Sequence, residues 1–461
     1  MMIDSGKNSK LIVPIVIAGS LVSTLGQGVM TVALPKVMSE FAVNVAIAQW
    51  LTNIYLLFLG IMIPCTGYLM KRFSSKNLFL FADTLFTLGC LISMFAGSFA
   101  VLIFSRIVQA VGAGILLPLV QVVIFRIYPK DQRGKLMGVV GLVISAGPAL
   151  GQILAGFLTD AFGWRSIFIA LGAISLLCII AAVVLLRQSD DQAEDAKATK
   201  LDVPSILLST LGFGGLVSGA TNIGKYGFRA MQSSIPLAVG IVFTALFIIR
   251  QLKVQHPLLE LRVFKNRNFT KSAACIALVY GNMIGFATLS AVYIQTVRGF
   301  SATTYSLLIL PGTVIVAVLN PLAGKILDKH GPHYLSIAGT LLITIGGILM
   351  SLLGKDSSFL YFGLSYSVQV VGVVGLLQPL ATWSVNNLEP VYTEHGTAII
   401  NTARQVGGAI VSAILVAIMS GAADNNYMKG IHTTCIVSIS VFFVLMILAI
   451  FFIPKKEKNQ I

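Results

Sequence analysis

The chain has 461 residues, of which 56% are hydrophobic and only 11% charged, with a formal net charge of +15. Soluble domains carry about a quarter charged residues, so too few charges are present here to coat a soluble particle of this size. The basic excess does not point to nucleic acid, because Lys and Arg cluster in alternate loops, as the positive-inside rule requires of a polytopic membrane protein.

Apolar runs long enough to cross a hydrocarbon core of about 30 Å fall at 11–33, 49–69, 77–97, 100–126, 136–158, 165–187, 203–221, 235–252, 270–292, 303–323, 333–353, 358–383, 398–420 and 431–453. Backbone groups in lipid must be satisfied within the segment, so each run is expected to be a helix. The expectation is thus an all-α integral membrane fold with about fourteen spans. The first run has no cleavable signal pattern and is expected to stay as a helix. The seventh is the least regular, interrupted by Gly212, Gly214, Gly215 and Gly219.

Basic clusters lie at Lys71, Arg72 and Lys76, at Arg126 to Lys135, from Arg250 to Lys271, at Lys325 and Lys329, and at Lys455 to Lys458. These loops and both termini are predicted to be cytoplasmic; Lys36, Arg165, Arg298 and Lys429 fall on the other side. Residues 188–202 are polar, mixed in charge and free of aromatics, which reads as a solvated linker. The predicted organisation is a six-helix bundle over 1–187, a cytoplasmic linker over 188–202, a two-helix hairpin over 203–255 and a second six-helix bundle over 256–461. Cys65, Cys90, Cys178, Cys275 and Cys435 sit singly in apolar runs, so they read as packing residues and no metal site is expected.

Six motifs follow one another along the chain. After the second span comes Gly67-Tyr-Leu-Met-Lys-Arg-Phe-Ser-Ser-Lys76, and after the tenth a weak repeat of it, Gly324-Lys-Ile-Leu-Asp-Lys-His-Gly-Pro-His333. The fourth span holds Arg106-Ile-Val-Gln-Ala-Val-Gly-Ala-Gly114, and the fifth Gly147-Pro-Ala-Leu-Gly151. Gly163-Trp-Arg-Ser-Ile-Phe168 opens the sixth. His256-Pro-Leu-Leu-Glu-Leu-Arg-Val-Phe264 precedes the ninth, and Asn401-Thr-Ala-Arg-Gln-Val-Gly-Gly408 lies in the thirteenth. Together they resemble the major facilitator superfamily, and within it the fourteen-span drug:proton antiporters of bacteria. The resemblance implies two six-helix bundles with an extra hairpin beside them, and a multi-pass protein of the cell membrane.

Two departures bear on function. The resemblance implies an acid at the position of Lys71 in the first loop motif and an intramembrane Asp at Gly26 in the first span. Asp328 keeps the acid in the second copy. Glycine at Gly67 and Gly324 is expected to let helices approach closely, and Arg72 supplies the loop's charge. Gly147, Pro148 and Gly151 are expected to form a packing device at a moving interface.

Of the 17 acids, Asp83 in the third span is the clearest intramembrane one, and an ionisable residue there marks a functional hypothesis. Asp83, Arg106, Gln109, Asp328 and Arg404 are the candidates for proton coupling or gating, with Arg106 expected beside Asp83. Asp160 and Asp424, at outer helix ends, are expected to be solvated. A mostly apolar pocket with a few orienting polar groups is expected from Gln27, Asn53, Tyr55, Gln121, Tyr280, Asn282, Tyr293, Gln369 and Trp383. Little midplane carboxylate is offered to a dicationic drug, which favours neutral, zwitterionic or anionic substrates. No H-E-x-x-H, G-x-x-x-x-G-K-S/T or G-x-S-x-G pattern is found, so no enzyme, no ATP-driven pump and no cofactor is expected. The expected function is secondary active export of small amphipathic molecules or drugs by proton antiport, as a monomer with protons, substrate and the bilayer as partners. The alternatives are an uncoupled facilitator and a non-transporting sensor on the same fold.

Overall fold

The computed structural model describes residues 7–128, 130–186, 202–255, 257–422 and 426–452. Among them the chain runs as helices joined by short connections. The first half comprises α1 (Lys7–Phe41), the short α2 (Val45–Ala48), α3 (Trp50–Arg72), α4 (Ser75–Met94), α5 (Phe99–Ile127), α6 (Lys130–Phe162) and α7 (Arg165–Leu185). Next come α8 (Val203–Tyr226) and α9 (Met231–Lys253). The second half holds α10 (Arg267–Val292), α11 (Ala302–His330), α12 (Pro332–Ser351), α13 (Phe359–Val374), α14 (Leu377–Asn386), α15 (Thr393–Thr402), α16 (Gly408–Ala422) and α17 (Tyr427–Phe452). Thirteen helical stretches among the described residues are long and apolar enough to cross a membrane. The 33-residue α6 supplies the fourteenth crossing that the sequence led us to expect.

Local chemistry sets the ends. Ser74, Ser98, Ser301 and Ser358 each stand in extended backbone and accept a hydrogen bond from the amide three residues on, which satisfies one of the orphan N–H groups of the first turn. The Trp-Arg pair that opens α7 clamps α1: Glu40 accepts from Trp164 Nε1 at 2.6 Å and forms an ion pair with Arg165 at 2.7 Å. The outward-facing surfaces are apolar, as with Leu177, Val184, Ile241, Val318 and Ile436, which is the inverse of a soluble protein and the requirement for contact with lipid.

The seventh span is a single unbroken helix, α8, rather than an interrupted one. Its glycines are there because α9 lies against them. A Cβ on Gly212 would stand 2.8 Å from the Thr244 backbone nitrogen, and one on Gly215 2.7 Å from Gly240. Close approach of backbones through small residues is how helices pack where lipid offers no hydrophobic drive. At the base of this hairpin Asp202 accepts from the amide and hydroxyl of Ser205 and from Arg250 at 2.7 Å. Burial acts to raise the pKa of Asp202, but its hydrogen bonds from Arg250 and Ser205 outweigh it and hold the carboxyl below its ordinary value. The rest of the predicted linker, 188–201, lies outside the described residues, as do His256 and Asp424. Two later spans are broken: the twelfth divides at Gly375–Leu376 into α13 and α14, and the thirteenth carries a π turn at Ala403–Gly407 between α15 and α16.

Within the first half α1 packs on α6 and α7, and α4 on α5 and α7; within the second α12 packs on α13 and α17, and α10 on α16. The halves meet along a seam of α6 with α11, α1 with α10, and α3 with α15, α16 and the π turn, while α8 covers α16 and α3. The seam is tight at the end with few charges. A Cβ on Gly156 would fall 2.1 Å from Ser306 Oγ. Ser306 donates to the Gln152 carbonyl at 2.9 Å, Thr303 to the Gly156 carbonyl at 3.2 Å and Gln295 to the Val32 carbonyl at 3.1 Å. At the basic end a Cβ on Gly67, Gly141 or Gly324 meets nothing within 4 Å. The close approach expected at Gly67 and Gly324 is therefore not made: both glycines are exposed. Gly147 and Gly151 behave as expected: with Gly28 they bring the backbones of α1 and α6 into contact, at Thr24, Leu25 and Pro148.

Candidate functional site

Two polar systems lie inside the helices. One is enclosed by the first half. Arg106 on α5 is wholly buried and every part of its guanidinium is used. Its Nε donates to the Leu51 carbonyl at 3.2 Å, Nη1 to Gln109 Oε1 at 2.6 Å and Nη2 to the Gly26 carbonyl at 2.9 Å. The guanidinium lies 4.1 Å from the centroid of the Tyr55 ring, a cation–π contact. Gln109 passes the chain on to Ser93 at 2.9 Å. A charge inside a span is expensive unless met by carbonyl dipoles and partners, and here two backbone carbonyls perform that service. Gly26 contributes its carbonyl where the resemblance calls for an acid, and a Cβ there would stand 3.0 Å from Phe86.

Asp83 is not the partner of Arg106. Its Oδ1 accepts from Ser175 of α7 at 2.6 Å, and Thr87 joins Ser175 at 2.7 Å. Its Oδ2 is buried with no hydrogen bond. The side chain leaves α4 toward α7 and α1, where Gly19 makes room beside Phe79, whereas Arg106 points to Gly26 and Leu51. No ion pair joins them among the described residues.

The second system is the middle of the seam. Gln27 of α1 donates to the Tyr280 hydroxyl at 2.5 Å and to Gln405 Oε1 at 3.0 Å, tying α1 to α10 and to the π turn. Asn53 of α3 accepts from Ser412 of α16 at 2.9 Å. Gln49 Oε1 accepts from Thr288 at 3.0 Å. Arg404 places its guanidinium 5.7 Å from the Tyr280 ring centroid. Gln121 on α5 and Trp383 on α14 are half-buried.

The remaining expected pocket residues make their bonds and packing contacts within their own half. Tyr55 donates to the Ser23 carbonyl at 2.7 Å beneath Arg106. Asn282 accepts from Ser438 of α17 at 2.7 Å. Tyr293 donates to the Gly354 carbonyl at 2.7 Å and stacks on Phe362. Gln369 packs against Gly346 of α12, with neither amide atom hydrogen-bonded. Asp328 is exposed at the end of α11, and Arg72 is exposed and donates to Tyr68 at 3.0 Å. Sequence reasoning passed over Gln405, Ser412 and Thr288. Gln405 was inside a recognised motif and adjacent to Arg404, so its polarity in an apolar run was the available signal. Asp160 is not merely solvated: its carboxylate accepts from the backbone amides of Ala302 at 3.3 Å and Thr303 at 2.6 Å, capping α11 from across the seam.

Two halves of helices with apolar outer surfaces, meeting at a seam that carries buried polar groups, give the fold of a membrane transporter. Residues 16–412 match the Major Facilitator Superfamily, and the chain belongs to that family of transporters of small molecules. It is 39% identical to the uncharacterised MFS-type transporter YcnB of Bacillus subtilis, over 90% of this chain and 87% of that protein. It is 33% identical to the lincomycin resistance protein LmrB of Listeria monocytogenes, over 87% of this chain and 84% of that one. Identity to the riboflavin transporter RibZ of Clostridioides difficile is 25%, over 98% and 99%. Among solved structures, a POT family transporter in complex with 5-aminolevulinic acid shares the fold with a TM-score of 0.71 at 13% identity, covering 95% of this chain and 96% of its own.

Proposed function

We propose that the protein is a secondary active exporter that moves small amphipathic molecules out of a bacterial cell in exchange for protons. In this reading it lies in the cell membrane as a monomer with both termini in the cytoplasm, divided as 1–187, 188–202, 203–255 and 256–461. The observation that carries the reading is the unequal packing at the two ends of the helices around a seam of buried polar groups. Contacts at Gly156, Ser306 and Asp160 seal the end with few charges, while Gly67, Gly141 and Gly324 stand clear at the basic end. A molecule that alternates this asymmetry exposes the central polar groups to each side in turn. Relatives named for lincomycin and multidrug resistance support small amphipathic cargo.

Asp83 is the proposed proton carrier. Its unpaired buried oxygen is costly as part of a charge and tolerable as part of a neutral carboxyl, so a change in the α4–α7 contact changes its hold on a proton. Arg106, Gln109, Asp328 and Arg404 are the proposed gating groups. Reconstituted protein should drive uptake of lincomycin or riboflavin into vesicles when an acid-inside pH jump is imposed. Uptake unaffected by the jump, or absent for every cargo tried, rejects proton antiport. A second reading, an uncoupled facilitator, draws on one feature: none of the contacts described at Gln27, Tyr280, Arg404 and Gln405 involves a carboxylate. Downhill flux without pH dependence selects it.

A further inference from the structure

The two guanidiniums inside the spans are treated in opposite ways. Arg106 makes three hydrogen bonds and a ring contact. Arg404, on the π turn, makes no hydrogen bond and no ion pair among the described residues. Its Nε is buried without a partner, its guanidinium faces the Tyr280 ring, and the side chain as a whole keeps some accessible surface. An intramembrane charge that faces no counter-ion is expensive and marks a ligand pathway.

The surroundings specify the ligand. Gln405 and Tyr280 stand beside the cation already joined through Gln27. Tyr280 also belongs to an apolar cluster with Ile54, Leu57, Ile284 and Ala409. The extra residue of a π turn lets Arg404 and Gln405, adjacent in sequence, both serve the seam. Glu394, the acid in the same span as Arg404, is exposed in the first turn of α15, and Asp83 on α4 is held by Ser175 of α7.

We propose that Arg404, flanked by Tyr280 and Gln405, is the docking point for the carboxylate of an amphipathic substrate that is monoanionic or zwitterionic. The planar fork of Arg suits two carboxylate oxygens, and the apolar cluster beside it suits the body of such a molecule. This rests on the exporter reading and narrows its cargo.

The test uses three probes of one shape: 1-naphthoate, 1-naphthamide and 1-naphthylmethylammonium, measured by equilibrium dialysis against the full chain in nanodiscs. Wild type binds the naphthoate about tenfold to a hundredfold more tightly than the amide, the range for a charge-assisted pair over a neutral one. Arg404→Gln loses that preference while keeping its affinity for the amide, and Arg404→Lys recovers part of it. A wild type with no preference for the anion, or an Arg404→Gln variant that retains it, overturns the proposal. The wild-type comparison decides even where Arg404→Gln fails to fold. The parent reading fails separately: naphthoate bound at Arg404 but never moved in vesicles refutes export and leaves the docking site standing.

Discussion

Alanine at Gly28 puts the α1–α6 contact to the test. A Cβ on Gly28 would lie 1.9 Å from the Pro148 carbonyl oxygen, roughly 1.5 Å short of ordinary contact. The obstacle is backbone, so no side chain can swing aside, and α1 must move off α6. That movement also spoils the neighbouring fits at Gly147 on Thr24 and Gly151 on Leu25, each with a hypothetical Cβ at 2.2 Å. Overpacking of this kind costs about 1–3 kcal/mol, and three coupled contacts place Gly28→Ala near the top of that range, on the order of a hundredfold in the folding equilibrium. Gly141→Ala is the internal control. It lies on the same α6, meets nothing within 4 Å, and should be neutral or gain about 0.5–1 kcal/mol from better helix propensity. Titration with SDS in mixed micelles, followed by tryptophan fluorescence, reads both variants. Equal SDS midpoints for Gly28→Ala and Gly141→Ala would refute the backbone-contact reasoning.

Four further outcomes are expected. Arg106→Ala strands the buried Leu51 and Gly26 carbonyls and Gln109, each unsatisfied acceptor costing about 1–3 kcal/mol, and it abolishes transport, with Arg106→Lys a partial rescue; a fully active Arg106→Ala shows the charge is dispensable. Asp83→Asn keeps cargo binding in dialysis but loses pH-driven uptake, and undiminished uptake moves the coupling site elsewhere, to the region of Asp328 and Arg404. Asp160→Ala removes a helix cap worth about 0.5–2 kcal/mol, so a cysteine placed near Thr304 should become labelled faster from outside; an unchanged rate denies Asp160 its closing role. The Asp202–Arg250 clasp has a depressed carboxyl pKa, so its contribution is present above the ordinary carboxylate value near 3.9 and is lost as pH falls through the depressed one. The stability gap between wild type and Asp202→Asn should therefore close below about pH 4; a gap that persists there contradicts the assignment.

Much of the architecture was legible because the bilayer makes a coarse demand: some twenty apolar residues, then a turn, with charge on one side. Fourteen crossings follow from that demand alone. The partners of individual residues were not legible, because a polar group in an apolar run satisfies its hydrogen bonds in any direction. Tyr55 and Asn282 bond within their own halves, while Gln27 and Asn53 bond across, and periodicity does not separate the two cases. Arg106 was expected beside Asp83 on the resemblance to the family. The contest was decided by the Gly26 and Leu51 carbonyls, which sequence does not display. In α8 the glycines read as weakness, since their partners at Gly240 and Thr244 lie on another helix.

The carboxylate of Asp160 that holds the first turn of α11 is an exposed group bonded to backbone amides. Water substitutes for each member of such a bond, so its net worth is small, about 0.5–1.5 kcal/mol per bond. This closure is thus a wet seal, loosened by hydration and insensitive to ionic attraction, since no cation takes part in these two bonds. One turn deeper, Gly156 lies directly on Ser306, and there the fit is steric. Parting the halves at that end is then a two-stage event, in which water first occupies the amides of Ala302 and Thr303 and only afterwards reaches the Gly156 contact, where the hydroxyls of Ser306 and Thr303 already serve the Gln152 and Gly156 carbonyls.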